Sequence, residues 1–265
     1  MLLPHVAIRK FWLKRALRGY PLYDPPQKVE ERLLTKELAA ENFEYFMRVR
    51  QRRMAHFQDW LHRYFFITLT PDAKGVRALN RWGNKYAGLL LNVGPNGRPT
   101  SSYFTYEPAW IGNEIGCNVL FDMGIALGEA LIANRSELHW DLAPTLAILP
   151  STAKVLKKSA GMSFQRPEIA GFNNPAWSWP ALHYVYGFSH DMVTYLTTFK
   201  GLKRFHRRSK ADRRRVQGAL LGMFERALSY DFNTDPNGLQ RGMPLADYVK
   251  LVDLESEQGD DDRGR

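Results

Sequence analysis

The sequence predicts a helix-dominated α+β domain with a small antiparallel sheet, and three features predict it. Residues 27–66 contain no Pro or Gly and carry recurring apolar side chains, the pattern of one long helix or two abutting ones. Residues 117–134 are apolar on nearly every side, as in a buried helix. Beyond Asn134 the chain breaks into short aromatic or β-branched runs bounded by Pro and Gly, which read as strands. A chain of 265 residues that is 45% hydrophobic and 13% aromatic can bury a sizeable core, which excludes a disordered or fibrous class. Cys117 is the only cysteine, so a disulfide framework is excluded and a reducing, cytoplasmic location is expected.

In chain order, the turn Tyr20, Pro21, Leu22, Tyr23, Asp24, Pro25, Pro26 precedes the first long helix. Thr70 as N-cap with Pro71 in the first helical position predicts a second helix, ending near Asn92. The glycine loop at 94–99 lacks a phosphate-loop Lys-Ser/Thr and reads as a turn. Residues 103–110 alternate weakly, and 117–134 follow as the third helix. Strands are expected at 138–142, 162–166 and 182–186, then helices at 191–205 and 209–232. Residues 1–252 form one globular domain on this reading, with 1–25 as an extension packed on it. The acidic tail 253–265 has no apolar residue from Gly259 onward and is expected to be disordered.

Arg9, Lys10, Lys14 and Arg15 interrupt the apolar N-terminal stretch, so no secretory signal is expected. The longest run without Asp, Glu, Lys or Arg, which takes in 169–189, contains Pro175 and Pro180, and no membrane span is predicted. The charges of 8–18 do not gather on one side, so an ordinary terminal helix lying on the body is preferred over a membrane-surface helix.

The net charge of +10 is unevenly spread: the block 116–199 is near neutral, while 200–215 holds nine Lys/Arg against the single acid Asp212. Lys203, Arg204, Arg207, Arg208, Arg213, Arg214 and Arg215 form a candidate nonspecific nucleic-acid surface, with help from Arg48, Arg50, Arg52 and Arg53. Phe205 is the only aromatic residue among them, and Ser209 with Asp212 looks like an N-cap, so a solvated helix–turn–helix junction is the plainer reading.

At 100° per residue Asp122 and Glu129 lie within about 20° of each other on the third helix, with Gly124 and Gly128 on the opposite side allowing close approach of a neighbour. Buried carboxylates need partners. Arg166, His139 and the indoles of Trp110, Trp140, Trp177 and Trp179 are the expected donors. A candidate pocket therefore comprises Asp122, Glu129, Trp110, His139, Trp140 and Arg166. Its functional reading is acid/base chemistry of a hydrolase type; its structural reading, which is preferred, is a pair of acids tying the helix to its neighbours.

No metal site and no cofactor are expected: His139, Asp141, His183, His190 and Asp191 lack helical metal-ligand spacing, and no G-x-S-x-G elbow, Rossmann glycine pattern or Walker loop occurs. Cys117 among apolar neighbours reads as inert core.

The residues Trp110-Ile111-Gly112, Asn118-Val119-Leu120-Phe121-Asp122-Met123-Gly124, Gly128-Glu129 and Leu138-His139-Trp140 resemble a group of uncharacterised bacterial proteins. More loosely, 108–190 are similar to immunity-like families with a G-E helix followed by a Trp-bearing strand. That resemblance implies a cytoplasmic bacterial protein that binds another protein, without a catalytic assignment. The leading expectation is therefore a non-enzymatic protein-binding module.

Overall fold

The computed structural model describes residues 4–94, 103, 106, 110–142, 165–172, 178–196 and 198–229. Its helices are α1 (Pro4–Ala16), α2 (Lys36–Phe65), α3 (Ala73–Leu90), α4 (Gly116–Asn134), α5 (Ala181–Leu196), α6 (Phe199–His206), α7 (Lys210–Gln217) and α8 (Ala219–Ser229). Strands β1 (His139–Leu142) and β2 (Pro167–Ala170) pair antiparallel, with Trp140 opposite Ile169 and Leu142 opposite Pro167. Ile169 also bridges Trp179. The helix-dominated α+β class is thus observed. The expected loop at 94–99, Trp177 and the acidic tail lie outside the described residues, Gly94 excepted.

Helix α4 is the centre, with α2, α3, α5 and α8 packed around it and β2 against it. Val119, Leu120, Phe121, Met123, Ile125, Leu127 and Leu131 have no exposed surface. The stretch Gly112–Asn134 is long and apolar enough to cross a membrane, yet 83% of its most apolar window is buried inside the fold, as a core helix requires. Its two glycines serve close approach. A Cβ on Gly124 would stand 3.0 Å from the Leu182 Cα, and one on Gly128 would stand 2.3 Å from the Trp140 ring.

Several boundaries differ from expectation. Helix α2 starts at Lys36, where Thr35 accepts the Leu38 N–H; the preceding residues hold only a 3-10 turn, Glu31–Leu33. The N-cap of α3 is Asp72, not Thr70: Asp72 Oδ1 accepts the Gly75 N–H at 2.8 Å and the Thr70 hydroxyl at 2.6 Å. Asp is as suited to an N-cap as Thr, and here Thr70 supports the Asp72 carboxylate by donating to it.

The strand expected at 182–186 is helix α5. Only Val185 is β-branched there, while Ala181, Leu182, Val185, Phe188, Ser189, Met192 and Val193 recur at helical spacing and are all buried, largely against α3 and α4. Tertiary burial overrides the local aromatic β preference. The second strand sits at Pro167–Ala170, after a turn at Gln165 and Arg166; the other residues of the expected strand lie outside the described set. The helix expected at 191–205 divides at Thr198, whose hydroxyl caps α6 by accepting the Gly201 N–H. The next divides at Gly218, although Ser209 caps α7 as predicted.

Helix α1 lies on the body: Val6, Leu13 and Ala16 are buried, and the Trp60 indole donates to the Ala16 carbonyl at 2.8 Å. Tyr20 and Tyr23 then enter the core, the latter stacked on Phe121 at 4.0 Å.

Candidate functional site

The two acids of α4 meet two arginines of α2. Arg53 Nε lies 2.5 Å from Asp122 Oδ1 and its Nη2 lies 2.9 Å from Oδ2, a bidentate pair completed by the Tyr20 hydroxyl at 2.8 Å. Asp122 has no exposed surface. Burial pushes its pKa up to about 6, against the opposing pull of Arg53 and Tyr20; burial likewise raises the Tyr20 phenol.

Seven residues on, Glu129 accepts Arg50 Nε at 3.1 Å and the Trp140 indole at 2.8 Å through Oε1, and Gln51 at 3.2 Å through Oε2. Arg50 and Arg53 are three apart, as Asp122 and Glu129 are seven apart, so each pair presents one face to the other helix. The result is a two-point ionic seam between α2 and α4.

The six expected pocket residues do not share one site. Trp140 reaches Glu129, as predicted. Arg166 does not reach the acids: it lies in another buried set, 3.5 Å from Glu31, and donates to the Tyr106 hydroxyl at 2.8 Å. Tyr106 in turn donates a short hydrogen bond to Glu31, whose carboxyl burial raises above its ordinary pKa. Trp110 is buried and stacks on Tyr103 at 5.4 Å, while its carbonyl accepts the Asn118 side-chain amide at 2.8 Å. His139 is exposed, with Nδ1 3.3 Å from the Glu137 carbonyl.

Arg53 as the partner of Asp122 escaped the sequence reading, which grouped it with Arg50 in the basic surface. A signal existed. Ala39, Asn42, Phe46, Val49, Arg53, Phe57 and Trp60 recur at three- and four-residue steps, so Arg53 falls inside the buried stripe of α2.

Among the described residues no three His, Cys, Asp or Glu side chains are placed to hold a metal ion.

The basic cluster spans α6 and α7. Arg208 lies over the Tyr195 ring at 4.5 Å and donates to its hydroxyl, and Arg213 donates to the carbonyls of His206 and Arg208 at 3.0 and 2.8 Å. These two therefore close the turn. Lys203, Arg204, Arg207, Arg214 and Arg215 are exposed, with Arg215 paired to Asp212.

A surface feature that the sequence reading did not single out lies at the α2–α3 turn. A groove of about 570 Å³ is lined by aromatic residues including Tyr64, Phe65, Phe66, Trp82 and Tyr86, with the cations Arg81 and Lys85. Phe66 is 89% exposed and sits in the left-handed region at φ 56°. Its N–H bonds the His62 carbonyl, the five-to-one bond of the αL C-cap that glycine usually completes, and the Ile67 N–H bonds the Leu61 carbonyl. Comparison of the chain with protein-family models, curated proteins and solved structures finds no match.

Proposed function

We propose that this chain is a non-enzymatic, cytoplasmic protein-binding module, in line with its immunity-like resemblance. Its binding face is the aromatic groove at the α2–α3 turn. Phe66 carries this reading: a left-handed phenylalanine costs about 1 kcal/mol where glycine would cost nothing, and at 89% exposure its ring contributes almost no burial in return. Such a residue serves a partner. Exposed aromatic groups beside a concave floor are the usual anchors of interfaces, and Arg81 and Lys85 favour an apolar segment flanked by acids. The α4 carboxylates are engaged in the seam with α2, Asp122 without exposed surface and Glu129 about one-fifth exposed, which favours a structural role for them over acid/base chemistry of a hydrolase type.

Phe66→Gly should leave stability unchanged or raise it by up to about 1 kcal/mol, and should weaken partner binding at least tenfold. Affinity capture from source cells, comparing wild type, Phe66→Gly and Arg81→Glu/Lys85→Glu, checks this. A protein held by wild type and released by both variants supports the reading; capture insensitive to Phe66, or no partner at all, overturns it.

A second reading rests on the exposed cations of 200–215, among them Lys203, Arg204, Arg207, Arg214 and Arg215. It predicts nonspecific nucleic-acid binding that falls steeply with salt. Neutralising Lys203, Arg204, Arg207, Arg214 and Arg215 together to Gln should abolish it, whereas Arg208 and Arg213 must be kept because they hold the turn. A filter-binding salt titration in which that variant binds like wild type removes this reading.

A further inference from the structure

We propose that α1 docks the protein on the surface of an anionic lipid bilayer. The helix is apolar on two sides, which its sequence alone makes look unpatterned. Val6, Leu13 and Ala16 are buried in the body, while Ile8, Phe11 and Trp12 are 62%, 68% and 57% exposed on the other side. On a helical wheel Phe11, Arg15, Ile8 and Trp12 share an arc of about 100°. Three large side chains held in water on one arc of a helix have no role in holding that helix to the fold, since the buried stripe already does so.

The charge around this arc selects its occupant. Arg15 lies within the arc, Lys14 flanks it and Arg18 follows just beyond the helix, all three exposed, while Arg9 and Lys10 point away from it and residues 4–23 hold no Asp or Glu. A second copy of the chain would oppose this face to itself across a two-fold axis and bring like charges together. An anionic bilayer complements it. Phe and Trp settle at the headgroup boundary, and Lys and Arg extend their apolar stems upward so that the charges meet lipid phosphates and carboxylates. A fluid surface also asks for no shape complementarity, and the convex outer side of a lone helix offers none. This surface is separate from the Phe66 groove and does not depend on the function proposed for it.

The test is cosedimentation of the full chain with phosphatidylcholine vesicles, with and without phosphatidylserine. Wild type should bind the phosphatidylserine vesicles, less so as salt rises, and leave the neutral ones. Phe11→Ser/Trp12→Ser should bind at least tenfold more weakly while keeping the wild-type circular dichroism and melting temperature. Changing Lys14, Arg15 and Arg18 to Gln should cost about fivefold in affinity for each cation removed. Replacing Lys203, Arg204 and Arg207 by Gln should leave vesicle binding as in wild type, which distinguishes α1 from basic charge in general. Three results overturn the proposal: wild type that ignores anionic vesicles, binding that survives the Phe11/Trp12 change, or a wild-type dimer that this same change makes monomeric.

Discussion

Replacing Arg53 by Met should destabilise the fold by about 3–5 kcal/mol at pH 7.5, because it leaves the Asp122 carboxylate buried without its cation. The methionine fills much of the arginine's volume, so the loss reports charge more than packing. The loss should shrink as pH falls, since a protonated Asp122 no longer needs a cation. In wild type the same carboxyl is already pushed up to about 6 from an ordinary 3.8. The folded state therefore holds this proton more tightly than the unfolded chain does. Its contribution to stability is fully present below pH 3.8 and is lost as pH rises through 6, a swing on the order of 3 kcal/mol. Asp122→Asn removes the titration, and Arg53→Met/Asp122→Asn should recover part of the single-variant loss. Urea denaturation of the four proteins at pH 5 and 7.5 measures all of this. An Arg53→Met loss below about 1 kcal/mol at pH 7.5 would mean that the pair is not the seam described above.

Trp140→Ala should cost a further class of energy, about 3–5 kcal/mol, through lost packing. The indole lies over Gly128, meets the Phe46 ring edge-to-face at 4.9 Å, and donates to Glu129, so one side chain joins β1 to α4 and α2. Trp140→Phe retains the ring contact and loses the hydrogen bond, at about 1 kcal/mol. The glycine and the indole are also coupled. Gly128→Ala should cost about 1–3 kcal/mol in wild type, where the new methyl overlaps the ring, and far less in the Trp140→Ala background, where the space is vacant. Additive losses in that double-mutant cycle, read from denaturation midpoints, would show that Trp140 does not set the spacing at Gly128.

Much of the organisation was legible in the chain because it rests on local periodicity. The all-round apolar character of 116–134 marks α4 as the core helix, and Gly124 and Gly128 announce close approach before any neighbour is known. The pairing of Asp122 and Glu129 on one narrow sector also follows from helix geometry, as does the need for donors. Segments 182–186 were misleading because aromatic runs suit both a strand and a buried helix; their burial against α3 and α4 decides the matter, and it is invisible locally. For Asp122 the donors are Arg53, 69 residues away, and Tyr20, 102 away, and not the expected Arg, His and Trp side chains.

The sequence by itself determined the helix-dominated α+β class, the central helix, the paired acids and their requirement for partners, and the exposed basic run, since each depends on residue type and on spacings within one element. Only the tertiary structure decided which cation meets which carboxylate, which way α1 turns its two apolar sides, and that Phe66 stands in solvent above an aromatic groove. Those outcomes depend on how elements distant in sequence meet, and the free energy that selects among such meetings comes from burial and charge desolvation, terms that no single segment carries alone.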